Sequence, residues 1–321
     1  MPTVLQLQLS KTNTMKKVKQ ILAATGLVVG FSLAHAGPIV IAGTDADDHG
    51  FLSGGVNQTG WKFMQLAMSN IGGAVSNGQT NAVCIGCNGS QASAAFSSAF
   101  GLAGLAGWTS SQLITTTDIT NFFNNTGAVN LSNTGFIYMP TTTYNVGGGI
   151  DDSQLGVVNL NGTNINNFLA AGGGLFTQEQ ATSSIGYGWL TSLLPTLVVK
   201  GDNSGGVADA SQLALTPQGN VQFPGLTNTD ISNATPWHAY FEGGFGALQS
   251  LIVGNGNNFA ANILDDTVVL GGGFAGGGGV IACGQANQPA CNNVPEPDSL
   301  PLVLAALGGL YIAQRKKTKV L

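Results

Sequence analysis

The sequence predicts an α/β fold with a mostly parallel central sheet and an antiparallel extension towards the carboxyl end. Short apolar runs alternate with segments of helical periodicity between residues 38 and 199, which is typical of parallel strands joined by helices. After residue 212, strand-like runs follow one another with few helical segments between them. No convincing linker divides residues 37–293, a length that can bury one large core, so a single domain is expected.

The first half of the domain is predicted to alternate three strands with three helices. Apolar runs predict strands at 38–42, 81–85 and 135–139, the last ending before Pro140. Helical spacing predicts helices at 61–71 and 90–105, and Asp118 is a suitable N-cap for a helix over 119–123. Polar loops are expected at 43–60 and 147–152.

The second half is predicted to add two helices and the remaining strands. Thr163 caps a helix over 164–171, which leads through three glycines into a strand at 175–177. A helix at 187–194 and a strand at 196–199 follow. Further strands are expected at 212–215, 247–253, 267–270 and 279–282, with the glycine-rich stretch 271–279 as a turn between the last two.

The predicted domain is strongly acidic. Residues 37–293 contain 13 Asp and Glu residues against two Lys, a net charge of −11 with His neutral. Because such a surface repels phosphate backbones, nucleic acid is not an expected partner. The acidity also serves solubility at an exported surface.

The N-terminus has the three parts of a secretory signal. A basic segment at residues 15–19, an apolar run at 21–33 and the cleavage pattern Ala34-His35-Ala36 follow in order. Residues 1–14 are interpreted as an extension before a start at Met15. We expect export through the Sec translocon and cleavage by signal peptidase before Gly37. An uncleaved anchor is the alternative.

The C-terminal stretch, residues 294–321, begins with a rigid Pro-Glu-Pro and ends with a basic cluster. Between them, residues 299–313 are uncharged and would form a helix of about 22 Å, shorter than the ~30 Å hydrocarbon core. Bilayer thinning and snorkelling flanks allow such a helix to span, with the cations on the cytoplasmic side. The alternative is a helix packed on the domain.

This order of parts resembles the PEP-CTERM sorting tail of bacterial envelope proteins. The residues that carry the resemblance, over about 28 positions, are Val294, Pro295, Glu296 and Pro297, then Arg315, Lys316 and Lys317. The resemblance implies temporary anchoring in the inner membrane, processing by an exosortase and delivery to the cell surface or medium. It also implies association with the extracellular matrix or biofilm, with exopolysaccharide as a candidate partner. The basic end is richer in Lys than in Arg.

All four cysteines lie in the exported part, and oxidising compartments favour disulfides. We expect local pairing of Cys84 with Cys87 and of Cys283 with Cys291. A redox-active Cys-x-x-Cys pair and a zinc site are the alternatives. A zinc site would need further ligands at matching spacing.

The loop after the first strand carries three carboxylates and an imidazole, Asp45, Asp47, Asp48 and His49. Loops at the carboxyl ends of parallel strands are where α/β sheets bind ligands, so a divalent cation is a candidate cofactor there. An EF-hand calcium loop is excluded because its twelfth position is Val56 rather than Glu. A capped, solvated turn is the alternative.

A second candidate pair is His238 with Glu242, four residues apart and so one helical turn. His49 and His238 are the only histidines of the mature domain, which excludes a site with three histidines. An aromatic cluster at the edge of the core is the alternative interpretation.

Residues 164–180 are predicted to form a helix, a Gly-rich turn and an apolar strand. This order of elements is similar to that in the ThuA-like and class I glutamine amidotransferase-like folds. That resemblance implies a three-layer, flavodoxin-like sheet. Amidotransferases hold a nucleophilic Cys after this strand, whereas this chain has Thr177, Gln178 and Glu179, so glutaminase chemistry is not expected. A wider likeness to uncharacterised exported PEP-CTERM proteins is carried by residues 43–50, 173–176 and 236–238.

Two functions therefore compete. The favoured one is a non-enzymatic surface or matrix protein without a cofactor. The alternative is an exported hydrolase or metal-dependent enzyme, whose candidate residues would lie within roughly 6 Å of one another in a cleft with a shifted pKa. Those residues are Asp45, Asp47, His49, His238 and Glu242. The relative positions of His49 and His238 distinguish the two.

Overall fold

The computed structural model describes residues 37–142, 147–179, 183–201, 213–232, 238–254 and 264–274. The predicted signal peptide, the strand at 279–282, Cys283, Cys291 and the tail 294–321 lie outside the described residues. What the sequence predicts for those parts stays a prediction. In the part of the chain that is described, no helix has the length and apolar character needed to cross a bilayer.

The described residues form strands, helices and one short 3₁₀ helix at Leu131–Asn133. The strands are β1 Ile39–Ala42, β2 Gly50–Ser53, β3 Val56–Gln58, β4 Asn81–Ile85, β5 Thr109–Leu113, β6 Phe136–Met139, β7 Gly174–Gln178, β8 Leu197–Gly201, β9 Ala214–Leu215, β10 Ala239–Gly243, β11 Gln249–Gly254 and β12 Asp266–Gly272. The helices are α1 Thr59–Ala74, α2 Ser90–Gly101, α3 Thr116–Phe123, α4 Asp152–Leu160, α5 Gly162–Ala170, α6 Gly188–Leu193, α7 Pro217–Gln222 and α8 Asn228–Ser232.

One ten-stranded sheet organises the described residues, with the order β5-β4-β6-β7-β1-β12-β10-β8. The pairs from β5 to β1 are parallel, and every pair beyond β1 is antiparallel, including β11 on β12 and β9 on β11. The predicted α/β class with a mostly parallel central sheet is therefore confirmed. Within this sheet, each antiparallel pair includes a strand from β8 onwards; β9, β11 and β12 lie in the part predicted as an antiparallel extension, whereas β8 was predicted in the alternating part and β10 was not predicted as a strand.

Side chains of successive strand residues alternate between two apolar clusters on opposite faces of this sheet. In β1, Val40 and Ala42 join a cluster built with α1 and α2, whereas Ile39 and Ile41 join one built with α3 to α6. All four residues of β1 are buried, as expected for a central strand covered on both faces. The strand therefore has little freedom to move, and the loop that follows it starts from a rigid point.

Several helix starts differ from the sequence predictions. The N-cap of α3 is Thr115, whose side chain accepts from the Asp118 amide, so the predicted Asp118 cap is wrong. Asp118 occupies the first turn instead, where its charge favours the helix dipole. Helix α5 begins at Gly162 after Asn161, two residues earlier than a Thr163 cap allows. Helix α2 ends at Gly101, before the predicted end at residue 105.

Among the elements that were not predicted from the sequence are β5, the hairpin β2–β3 and α4. Strand β5 is polar and lies at the sheet edge, so no apolar run marks it. The hairpin β2–β3 turns at Gly54 and Gly55, both with positive φ, in a stretch predicted as loop. Helix α4 has a capping box between Asp151 and Gln154.

The stretch from His238 to Glu242 was predicted as a helical turn, and that prediction is wrong. Residues from Ala239 onwards form β10, which pairs with β8 along its whole length. Hydrogen bonds to the neighbouring strand replace the local ones of a helix. At about 3.3 Å per residue in a strand, Glu242 is roughly 13 Å from His238 rather than one helical turn away.

Candidate functional site

The site is built on the loop that leaves β1 at the carboxyl edge of the parallel strands. Gly43 donates its amide to the Val268 carbonyl (2.7 Å), and its own carbonyl accepts from the amides of His238 (2.8 Å) and Ala239 (3.1 Å). A Cβ atom on residue 43 would overlap the Ala239 carbonyl oxygen, so the close approach requires glycine. These bonds hold the start of β10, and with it His238, beside the loop.

Two imidazoles meet one buried carboxylate in this loop. The Oδ2 atom of Asp45 lies 3.4 Å from Nε2 of His49 and 3.3 Å from Nε2 of His238. The Asp45 side chain is 2% exposed and that of His238 15%, whereas His49 is 42% exposed. One side of the centre is therefore closed, and His49 faces solvent.

The pKa of Asp45 is lowered below its ordinary value of 3.8 despite burial. Burial alone would raise this pKa, because a low-dielectric interior penalises the charged form. Hydrogen bonds from His238 and His49, together with their positive charge when protonated, outweigh it. Asp45 is therefore an ionised carboxylate over the whole neutral range.

The pKa of Asp47 shifts in the opposite direction to that of Asp45. It is fully buried, and the pKa of its carboxyl is raised well above the ordinary value by burial and by the negative charges of Asp45 and Asp48. The Thr141 hydroxyl lies 3.1 Å from both carboxyl oxygens of Asp47 and 3.2 Å from Oδ1 of Asp45. Thr141 therefore links the two acids, and it lies two residues after β6, the parallel strand on the far side of β7 from β1.

Gln178, the last residue of β7, ties the loop to the sheet. Its Nε2 donates to Asp47 Oδ1 (3.1 Å) and to the Tyr138 hydroxyl (2.7 Å). Its Oε1 accepts from the Ala46 amide (2.9 Å) and the Thr44 hydroxyl (3.2 Å). A buried amide with all these bonds fixes the backbone of the loop, so the Asp45 centre is positioned by the sheet rather than by a free loop.

Asp48 is half-buried at the rim of the centre. Its pKa is raised to about 6 by burial and by the negative charge of Asp45, while a hydrogen bond from the Gly147 amide opposes the shift. Among the described residues, Oδ1 of Asp48 has no hydrogen-bond partner. Near pH 6, this carboxyl changes charge beside the histidines.

Glu179 directly follows β7, whereas Asp45 lies three residues after β1, and the surroundings of the two carboxyl groups differ. It is 1% exposed, and its Oε1 accepts from the Thr177 hydroxyl (2.6 Å). Burial raises the pKa of Glu179 to about 8, and hydrogen bonds from Thr177 and Tyr187 only partly oppose that shift. At neutral pH, most Glu179 side chains are therefore protonated and uncharged.

Of the five predicted candidate residues, the structure brings four together. Asp45, His49 and His238 are in contact, and Asp47 joins them through Thr141. Glu242 is not part of the site, because it lies farther along β10 and its carboxylate is 3.6 Å from the Lys200 ammonium, with both side chains close to half exposed.

Sequence reasoning gave no role to Thr141, Gln178 or Glu179, although a signal was present. Each follows or ends a buried parallel strand, which is the same criterion that selected Asp45. Tyr138 lies inside β6 and carried no such signal; burial and the charge of Asp47 raise its pKa well above 10.

The cysteines described by the structure lie apart from this histidine centre. Cys84 and Cys87 are joined by a disulfide bond and are both buried where β4 passes into the turn before α2. Burial of both sulfurs favours a structural role over exchange with an external thiol. The pairing of Cys283 with Cys291 lies outside the described residues.

No three or more His, Cys, Asp or Glu side chains within the described ranges are arranged to hold a metal ion. A divalent cation at Asp45, Asp47 and Asp48 therefore stays a prediction. No protein-family model, curated protein or solved structure matches this chain. The function is consequently argued from the geometry of the site.

Proposed function

We propose that this chain is an exported bacterial envelope protein whose domain hydrolyses an uncharged ester by general acid–base catalysis at His49, Asp45 and His238. We also propose that its sheet and helices form the three-layer, flavodoxin-like arrangement of the amidotransferase-like folds. Helices packed on both faces of a parallel sheet support that assignment. The tail at residues 294–321 would deliver the domain to the surface through exosortase processing.

The contact of both imidazoles with one buried carboxylate carries the proposal. The sequence favours a protein without catalysis, and a separation of His49 from His238 would have supported that interpretation. Instead both Nε2 atoms lie within 3.4 Å of Asp45 Oδ2. Buried carboxylates that orient imidazoles are typical of acid–base sites.

The chemistry follows from the hydrogen-bonding capacity of the groups. An ionised carboxylate only accepts hydrogen bonds, so an imidazole bonded to Asp45 must carry its proton on Nε2. Its Nδ1 then has a free lone pair, which can take a proton from an attacking water molecule. We assign this role to neutral His49 because its side chain is the more exposed. His238 is assigned as the general acid: in its doubly protonated form it keeps Nε2–H on Asp45 and gives its Nδ1 proton to the leaving group, and the proton that His49 takes from water restores the pair after product release.

The charge of the surroundings limits the substrate. Asp45, Asp47 and Asp48 cluster at the centre, and no Lys or Arg forms an ion pair with them among the described residues. Anionic substrates would be repelled, so an uncharged ester is the better fit. Acyl esters on an extracellular polysaccharide are one such class.

Hydrolysis of 4-methylumbelliferyl acetate and butyrate by the mature protein tests this proposal. His49→Gln and Asp45→Asn should each lower kcat/KM about 100-fold, since a positioned base contributes roughly 10²–10⁴-fold. Glu242→Gln is the matched control, because that carboxylate pairs with Lys200 outside the site, and should leave kcat/KM unchanged. Equal hydrolysis by wild type and His49→Gln, or no hydrolysis at all, would return the chain to the non-enzymatic interpretation.

Sorting by the tail has its own test, the intact mass of the protein in envelope and medium fractions. We expect a mature form that starts near Gly37 and ends near Pro297, and that is lost in cells lacking the sorting protease. A product that always ends at Leu321 would contradict surface release and make the tail a plain anchor.

A further inference from the structure

Among the described residues, two buried polar atoms without hydrogen-bond partners belong to residues that line the same gap. They are Oε2 of Glu179, at the end of β7, and Nε1 of Trp189, in α6. Both side chains are almost completely buried, with exposures of 1% and 0%. Since nearly all buried polar atoms in proteins are hydrogen-bonded, each of these unpaired atoms needs an explanation, and one bound ligand group would supply both partners.

The gap between them is small and mostly apolar. It is lined by both residues together with Met139, Pro140, Ile150, Leu155, Thr177, Gln178 and Tyr187. As it stands, the gap is too narrow to admit a water-sized molecule. Binding there therefore requires one wall to move.

Tyr187 is the lining residue that the gap shares with a more open cavity. It also lines an open cavity of about 330 Å³, whose other lining residues are Ser183, Gly186, Gly188, Leu190, Thr191, Leu197, Val198 and Val199. Because Tyr187 lines both spaces, rotation of its side chain would join them, at the cost of its hydrogen bond to Glu179. A ligand could then place a polar group in the gap and its body in the cavity.

We propose that this is a binding pocket for an uncharged alcohol, with the ligand hydroxyl seated between Glu179 and Trp189. Trp189 can only donate, so its partner must accept, and the protonated Glu179 carboxyl keeps acceptor capacity beside its own O–H donor. A hydroxyl group can accept from the indole and donate to the carboxyl at once. An ammonium group would leave the indole N–H unpaired, because it has no lone pair to offer.

Charge excludes anionic ligands from the pocket. No Lys, Arg or His lines either the gap or the cavity. A buried anion without a counter-charge is strongly disfavoured. The hydroxyl could belong to a sugar or to an aliphatic alcohol, which present the same group on bodies of different polarity. The pocket does not depend on hydrolysis at the Asp45 centre, so either proposal can fail alone.

Calorimetric titration of the mature chain with hexan-1-ol and with methyl α-D-glucoside tests the pocket and separates the two sources. We expect one of the two to bind with a Kd of about 1 mM, as ligand efficiency permits for so few atoms. The matching methyl ether, 1-methoxyhexane or the 6-O-methyl glucoside, keeps an acceptor but has no donor. It should bind about tenfold more weakly.

Trp189→Phe keeps an aromatic ring and removes the N–H, and should also weaken binding about tenfold. Trp108→Phe is the control, since Trp108 packs on Phe136 away from the pocket. Thermal melting of both variants verifies the fold, and a crystal of the wild-type protein soaked with the probe gives a second readout if Trp189→Phe does not fold. Absence of binding by both probes, equal affinity for alcohol and ether, or a probe located elsewhere would overturn the proposal.

Discussion

Asp45 and Glu179 are two buried carboxyl groups at the carboxyl edge of the parallel strands, and their pKa values shift in opposite directions. Each follows a buried parallel strand, β1 or β7, and each is 1% exposed. The pKa of Asp45 is lowered, whereas that of Glu179 is raised to about 8. Burial pushes both pKa values upward, so burial cannot explain the difference.

The groups that contact each carboxyl determine the direction of its pKa shift. Asp45 has two imidazoles that can be cationic, and Glu179 has only hydroxyl groups. Hydrogen bonds from neutral hydroxyls favour the charged carboxylate too weakly to offset its desolvation. One sheet edge thus holds an ionised acid suited to orienting histidines and a neutral acid suited to hydrogen bonding in an apolar gap.

Glu179→Gln should remove a pH dependence of stability. With a folded-state pKa of about 8 and an ordinary value of 4.5, the folded state keeps a proton that the unfolded chain loses between these pH values. The free energy of unfolding of the wild type should therefore fall by roughly 4 kcal/mol as the pH rises from 4.5 to 8, at about 1.4 kcal/mol per pH unit. Urea unfolding of both proteins across this range measures it.

The informative quantity is the difference between variant and wild type, because other groups titrate equally in both. Glu179→Gln should gain stability relative to the wild type as the pH rises towards 8 and then level off. For Glu242→Gln, which removes the exposed pair with Lys200, the free energy of unfolding should change with pH as it does in the wild type. Parallel curves for Glu179→Gln would show that the carboxyl is already ionised in the folded protein.

The part of the site in the loop after β1 could be predicted because consecutive residues of the sequence indicate it. A fully apolar strand that ends in Asp45, Asp47 and His49 marks a loop at the carboxyl edge. The bonds of Gln178 and Thr141 to these acids span sequence separations of about 130 and 95 residues. Such contacts depend on the order of strands in the sheet, which no local pattern specifies.

The predicted strands are most accurate where apolar runs are continuous, and least accurate at the edges of the sheet and at turns. β1, β4, β6 and β7 are buried and were predicted close to their true bounds. A spacing of four residues from His238 to Glu242 fits one turn of a helix, but in a strand it also places both residues on one face. The hydrogen bonds to β8 make this stretch a strand rather than a helix. Propensity is weak evidence when a neighbouring strand supplies the hydrogen bonds.

Asp45→Asn tests the other half of the comparison. Losing two hydrogen bonds to an ionised carboxylate should lower the free energy of unfolding by about 3 kcal/mol at neutral pH. Because the folded-state pKa of Asp45 is lowered, its contribution is present above the ordinary value of 3.8 and is lost as the pH falls further, so the deficit of the variant should shrink in acid. Asp230→Asn, which breaks the partly exposed pair with Lys62, should cost below about 1 kcal/mol. If Asp45→Asn were as stable as the wild type, the imidazole contacts would not be what keeps this buried acid charged, and the contrast with Glu179 would need another cause.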